Sequence, residues 1–182
     1  MRQNAVMAKK ELTKASAPPK RSRGRREPVD LGHALIDALL RNERMNHVLL
    51  DAIDPKIWRK QPLCSKRRNI ATTFAHIHNV RSMRIGMAAK GKKPSKLDRS
   101  DVTSAQAKQA LTESTNAMVR LIEQSLEAGG HLSGFHDVVA FVCGEIIHEA
   151  HHRGQIVHWA RALGAPLTQE QQLKLWVGSR SE

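Results

Sequence analysis

Apolar residues recur at spacings of three and four along most of the chain after Val29, and no segment alternates apolar and polar residues long enough to predict a strand. This spacing places apolar side chains on one face of an α-helix. Glycine and proline interrupt the pattern at Asp54-Pro55, Gly91 with Pro94, Gly129-Gly130, and Gly164 with Pro166. The interruptions predict four long helices, at about residues 30–52, 66–89, 103–128 and 136–163.

A fifth, shorter helix is predicted after residue 166. Thr168 and Gln171 have the spacing of a capping box, and Leu173, Leu175 and Trp176 follow. Helices without strands bury their apolar faces against one another. We therefore predict an all-α fold, an antiparallel four-helix bundle with a short extra C-terminal helix.

Residues 1–28 differ in composition from the rest of the chain. They contain nine Lys/Arg, two Asp/Glu and three prolines, with almost no large apolar residue, so they carry +7 of the chain's net charge of +13. Such a segment buries too little apolar surface to offset the entropy of ordering it. We predict a disordered basic N-terminal tail over 1–28 and one bundle domain over 29–182.

The sequence contains no run of about 18 apolar residues, and its beginning lacks the apolar centre of a secretory signal. We therefore expect a cytoplasmic protein that does not enter a membrane. Cys64 and Cys143 have no C-x-x-C spacing, which disfavours a disulfide framework or a thiolate metal site. Both are predicted to be reduced, buried thiols.

Residues 148–158, HEAHHRGQIVH, contain the H-E-x-x-H signature of zinc proteases. In that signature both histidines bind zinc and the glutamate acts as general base. At about 100° per residue, however, Glu149 lies off the side shared by His148 and His152, and His158 points well away from that pair. The glycine expected three residues after His152 is Gln155, and no strand precedes the motif. The pattern disfavours a protease.

His148 and His152 share one helix face with Phe141, Gln155 and Trp159. An i, i+4 histidine pair on such a face can hold one metal ion, although a single histidine is more often a hydrogen-bonded core or surface residue. Metal sites in bundles are built from facing helices.

The second helix offers His76 and His78 in FAHIHNVR as a further ligand. Both histidines have apolar neighbours on their own faces, so periodicity leaves the choice open.

The segments FAHIHNVR, HEAHHRGQI and the late GAP…LW together resemble the DinB/YfiT-like family of metalloenzymes, over roughly residues 29–178. The resemblance implies a four-helix bundle in which three histidines surround a divalent metal, zinc or nickel. Carried onto this chain, it implies His76, His148 and His152 as the ligands, with His78 as second choice on the second helix.

The resemblance also implies a metal-dependent enzyme of the thiol-transferase type, in which a low-molecular-weight thiol is activated for attack on a small-molecule substrate. Hydrolysis by an activated water is the first alternative. Gln155 is a candidate to hydrogen-bond a metal-bound water or to cap the bundle end. Glu145 is a candidate to orient a ligand imidazole, or a surface acid.

A non-catalytic binding protein, related to DNA damage or stress, is the second alternative. The basic tail suits phosphate contacts, but the rest of the chain has no nucleic-acid-binding motif, so we disfavour nucleic acid as a partner. The fourth helix carries a second apolar stripe, Val139, Val142, Ile146, Ala150 and Val157. This stripe predicts cover by other segments or by a twin subunit, and the family resemblance favours a homodimer.

Overall fold

The computed structural model describes residues 28–63, 65, 68–89 and 93–177. These residues form α-helices and one short 3-10 turn, Pro55–Ile57, and contain no strand. The helices are α1 Leu31–Ala52, α2 Ile70–Ala88, α3 Ser104–Glu127, α4 Val138–Ala162 and α5 Gln169–Val177. The prediction of an all-α fold with a short C-terminal helix is confirmed. Residues 1–27 of the predicted tail, Cys64 and Gly91 lie outside the described residues.

Polar side chains at the helix starts fix where the helices begin. α2 begins at Ile70 rather than near residue 66, because Asn69 caps it: Asn69 Oδ1 accepts from Thr72 N at 2.9 Å, and Thr72 Oγ1 accepts from Asn69 N at 2.9 Å. The predicted capping box of α5 is present, with Thr168 N donating to Gln171 Oε1 at 2.8 Å. These bonds satisfy backbone N–H groups that have no partner within the helix.

Contacts near the helix ends show that α1 and α3 run antiparallel. Asp51, near the end of α1, pairs with Lys108, near the start of α3, at 2.7 Å. At the other end, Leu126 of α3 packs against Gly32 of α1. α2 and α4 are antiparallel as well.

The other two neighbouring pairs are parallel. One cluster of the apolar core joins the first halves of α2 and α3 through Phe74 and Leu111, and the second joins their later halves through Ile85 and Met118. The same two clusters show that α4 runs parallel to α1. Around the bundle the order is α1, α3, α2, α4. The predicted antiparallel arrangement therefore holds for α1/α3 and α2/α4 only.

The length of the connection between α2 and α3 allows this topology. The 15 residues between Ala88 and Ser104 reach up to about 50 Å, whereas the 19-residue α2 is about 28 Å long. The described part runs back along α2: Ser82 Oγ donates to Pro94 O at 2.6 Å, and Asn79 bonds both backbone groups of Leu97, at 2.8 and 3.0 Å. We call residues 93–103 the crossover segment.

The second apolar stripe of α4 is covered only in part within the chain. Val142 is buried, but Val139 is 48% exposed and Ala150 is also exposed. Cys143 is exposed, contrary to the prediction of a buried thiol, because it lies on the outer side of α4. No helix among the described residues is both long and apolar enough to cross a membrane.

Candidate metal centre

Three histidines from two facing helices meet between α2 and α4. His148 Nε2 lies 3.4 Å from His76 Nε2 and 3.2 Å from His152 Nε2. One potential ligand atom from each of the three lies within 4.8 Å of the other two. His148 and His152 come from successive turns of α4, and His76 comes from the second turn of α2, so the antiparallel packing of these helices brings the three rings together.

The nitrogen separations match those of a metal site. At a zinc–nitrogen distance of about 2.05 Å, two tetrahedrally placed ligands lie about 3.3 Å apart. The two Nε2–Nε2 distances, 3.4 and 3.2 Å, lie within about 0.1 Å of this value. Two of the three nitrogen pairs therefore have the spacing of metal ligands, and the third lies within 4.8 Å, so the three residues could hold one metal ion.

The proton positions also favour a cation. Gln155 Oε1 accepts from His152 Nδ1 at 2.9 Å, so His152 Nε2 carries a lone pair. His148 Nε2 can then donate to His152 or accept from His76, but a neutral imidazole nitrogen cannot do both. Neutral rings satisfy both contacts only if the other two share the one N–H of His148, whereas a cation facing three lone pairs satisfies all three nitrogens.

His78 does not join the group. Its ring is 1% exposed and faces the crossover segment, where Nε2 lies 2.8 Å from Ser95 O, within hydrogen-bond distance. The structure thus brings His76, and not His78, beside the α4 pair. The two histidines are two residues apart on a helix and so point in very different directions.

Gln155 contacts two histidines of α4. Its Oε1 accepts from His152, and its Nε2 lies 3.0 Å from His151 Nε2. A hydrogen bond of this kind to the second ring nitrogen fixes the tautomer and orientation of a metal ligand. The sequence pointed to Gln155 as a partner of a metal-bound water, but in the structure both ends of its amide are engaged by histidines.

Glu145 lies one turn before Glu149 on α4 and is fully buried. Its Oε1 accepts from Arg84 at 2.9 Å, while its Oε2 has no partner among the described residues; the same holds for His148 Nδ1, which is also buried. Burial raises the pKa of Glu145, against the attraction of Arg84. The structure therefore excludes a surface acid, and shows no direct bond from Glu145 to a ligand imidazole.

The environment keeps the histidines neutral at pH 7. Burial, together with repulsion from neighbouring rings and arginines, lowers the pKa of His76 and of His148 to about 4. Burial also lowers the pKa of His152, against the opposing effect of its bond to Gln155. Metal ligands must be deprotonated, so protons compete little for this site near neutral pH.

A buried ion network lies behind the histidines. Arg81 of α2 is fully buried and donates to Glu149 Oε1 and Oε2, at 2.5 and 2.8 Å, and to Glu43 Oε2 at 2.8 Å. Asn42 and Asn46 of α1 donate to Glu149 as well. The carboxylate that would be the general base of a protease is thus turned away from the histidines and fully bonded, which excludes that role.

Sequence reasoning missed this network, although a signal was present. Along α2, Arg81 lies on the same helix face as the buried Ile70, Phe74, Ile77 and Ile85. A charged residue in the middle of an apolar stripe indicates a buried ion pair, since an isolated buried charge is costly. The equivalent signal on α4 is Glu149, between Val142 and Ile156.

Comparisons with family models, with curated proteins and with solved structures find no match for this chain.

Proposed function

We propose that this protein is a metal-dependent enzyme of the DinB/YfiT-like type, with a divalent cation, zinc or nickel, held by His76, His148 and His152. The observation that carries the proposal is the convergence of three neutral imidazole nitrogens at 3.2 and 3.4 Å. A structural histidine cluster would use its ring nitrogens for hydrogen bonds to other groups. Here these nitrogens face one another instead.

Three neutral ligands leave the cation its full charge and at least one open position, as in catalytic rather than structural sites. A cation bound there lowers the pKa of a coordinated thiol or water and so supplies a nucleophile near neutral pH. The reaction that we favour is the transfer of a thiol to a small molecule, and hydrolysis by water is the alternative.

The protein residues around the site orient the ligands and keep them neutral. Gln155 holds the proton of His152 at Nδ1, which directs the Nε2 lone pair towards the other two rings. His152 is 3% exposed, whereas His76 and His148 are half-buried. A substrate therefore approaches from the side of His76 and His148.

The test is the metal content per chain, measured by elemental mass spectrometry on full-length protein purified without an affinity tag. We expect about one zinc or nickel per chain, lost in His152→Ala and in His76→Ala. His158→Ala, an exposed histidine of the same helix, is the matched control and retains the metal. Circular dichroism checks that each variant is folded.

A folded wild-type protein that takes up no metal, even after reconstitution with zinc or nickel, would overturn the proposal. Retention of full metal content in His76→Ala would overturn the three-histidine site. The thiol-transfer hypothesis is tested by measuring how fast free cysteine is consumed when it is mixed with the protein and an alkylating electrophile. Metal-dependent consumption that is lost in His152→Ala supports it, and ester hydrolysis without a thiol requirement favours the alternative.

A further inference from the structure

A groove opens directly beside His76, between α2 and the crossover segment. Its volume is about 670 Å³, within the range of about 300–1,000 Å³ typical of small-ligand sites. Val80 and Met83 of α2 and Leu97 of the crossover segment give it an apolar wall. A substrate in this groove would have one end next to the histidines.

Side chains of α2 hold the backbone of the crossover segment in place, so the groove exists before a ligand binds. Asn79 bonds the backbone N–H and C=O of Leu97, Ser82 bonds Pro94, and the ring of His78 faces Ser95 O. These contacts hold the crossover segment against α2. A rigid wall reduces the entropy that a ligand must lose on binding.

The end of the groove near the histidines is positively charged. Lys96 and Arg99 line the groove, and Arg99 Nη2 lies 3.1 Å from His76 Nδ1. Neither forms an ion pair with a carboxylate among the described residues. Asp98 also lines the groove, but its Oδ1 accepts from Ser100 N and Ser100 Oγ, at 2.8 and 2.7 Å, within its own turn.

Arg68 adds to this positive charge, since its repulsion contributes to the lowered pKa of both His76 and His152. Lys96, Arg99 and Arg68 outnumber the single carboxylate of Asp98 in this region, so its net charge favours an anion.

The contact between Arg99 and His76 has a consequence for ligand binding. In the structure Arg99 donates to His76 Nδ1, which requires the proton of the ring to lie at Nε2. When the Nε2 lone pair is used for a cation, the ring proton lies at Nδ1, and Arg99 can no longer donate there. The guanidinium is then free to bind an anion beside the histidines.

We propose that this groove binds a small organic anion, a carboxylate or phosphate on a short apolar chain. Arg99 and Lys96 bind the anionic group, and Val80, Met83 and Leu97 contact the apolar chain. The inference rests on the proposed function in that it names the substrate class of the same site. Its own evidence is the charge and shape of the groove.

The experiment uses the full-length, zinc-loaded protein and isothermal titration calorimetry. The probes are hexanoate, its neutral isostere hexanamide, and hexyl phosphate. We expect hexanoate or hexyl phosphate to bind at least about tenfold more tightly than hexanamide, because charge-assisted hydrogen bonds contribute about 1.5–3 kcal/mol. The tighter of the two anions identifies the preferred head group.

Two variants separate the contributions within the groove. Arg99→Gln lowers the affinity for the anion about tenfold and leaves that for hexanamide unchanged, while Arg44→Gln, an exposed arginine of α1, changes neither. Met83→Gln, at a side chain that is 48% exposed, reduces the gain in affinity from acetate to hexanoate. This gain is at most about fourfold per methylene group.

Equal affinity for hexanoate and hexanamide overturns the proposal. Unchanged anion affinity in Arg99→Gln also overturns it, because the anion is then held by the metal alone or elsewhere. Zinc content is measured on the same samples. Full zinc content without a preference for the anion refutes only this inference. Absence of zinc refutes the proposed function. In that case the same titrations on the metal-free protein test whether the groove binds the anion.

Discussion

Arg81 of α2 donates hydrogen bonds to both carboxylate oxygens of Glu149 of α4, at 2.5 and 2.8 Å, in a part of the core fully closed to solvent. Glu149 follows His148 directly along α4. Binding its carboxylate on the core side fixes the rotation of α4 about its axis. This rotation turns His148 and His152 towards His76, so the geometry of the histidine cluster depends on the ion pair.

We predict that Arg81→Met lowers the free energy of unfolding by about 3–5 kcal/mol, since it leaves Glu149 and Glu43 as buried charges without their main partner. Urea denaturation at pH 7 measures the effect. Arg44→Met, at an exposed position of α1, is the control and changes the value by less than about 0.5 kcal/mol. A loss below about 1 kcal/mol in Arg81→Met would show that the network does not hold the bundle together.

The double variant Arg81→Met/Glu149→Gln tests the coupling between the two residues. In the double variant the buried charge of Glu149, which Arg81→Met alone leaves without its partner, is also removed. The combined loss of unfolding free energy is therefore smaller than the sum of the single losses by about 0.5–3 kcal/mol. Additive losses would contradict a direct interaction. The measurement is the same urea titration carried out on all four proteins of the cycle.

The approximate extent of the helices could be predicted from the sequence because the signals that begin and end helices are local. Thr168 caps α5 through a bond to a residue three positions away, as predicted, whereas the cap of α2 at Asn69 was missed and that helix begins four residues later than expected. The direction of the helices could not be predicted, since it depends on the path of the crossover segment. That path is fixed by Asn79 and Ser82, whose contacts join residues 12 to 18 positions apart.

Of the candidate site, the histidine pair of α4 could be predicted from the sequence, but the ligand from α2 could not be chosen from periodicity. The spacing of four between His148 and His152 places both on one face of α4 by geometry alone. The choice between His76 and His78 was not available from periodicity, because both have apolar neighbours along α2. Only the tertiary structure shows that the crossover segment covers His78 and leaves His76 facing α4.

Gln155→Leu is predicted to weaken metal binding about 10- to 100-fold without unfolding the protein. The variant removes the acceptor that holds the His152 proton at Nδ1. Competition titrations with a chelator measure the affinity, and circular dichroism checks the fold. Gln155→Glu, which keeps an acceptor at this position, restores most of the affinity. Equal affinities of Gln155→Leu and wild type would exclude an orienting role for Gln155.

The stability of the metal-free protein is predicted to fall as the pH falls from about 6.5 to about 4. Burial lowers the pKa of His76 and His148 to about 4, whereas an unfolded histidine has a pKa of about 6.5. Between these values unfolding takes up protons, roughly two at pH 5, so acid favours the unfolded chain. Well above pH 6.5 the rings are neutral in both the folded and the unfolded chain, so this destabilisation is absent.

Thermal unfolding between pH 7.5 and pH 5 measures this dependence. The double variant His76→Gln/His148→Gln is expected to show a flatter curve over this range. The pKa of Glu43, lowered to about 2 by Arg81 and His47 against the effect of its burial, adds a further loss only below about pH 4.5. Identical slopes for wild type and the double variant above pH 5 would contradict the assignment to these histidines.

Asn79→Ala is predicted to loosen the crossover segment and leave the metal site in place. The variant removes both side-chain bonds to the backbone of Leu97, while the ligand His76 keeps its position on α2. Amide hydrogen exchange in residues 95–99 is then expected to become at least about fivefold faster, since each lost hydrogen bond corresponds to about 1 kcal/mol. Asn116→Ala, at an exposed position of α3, leaves exchange unchanged. We expect the metal content to stay unchanged and only the affinity for the anion to fall, because the crossover segment forms a wall of the groove. Loss of the metal together with the protection from exchange would show instead that the crossover segment supports the histidines.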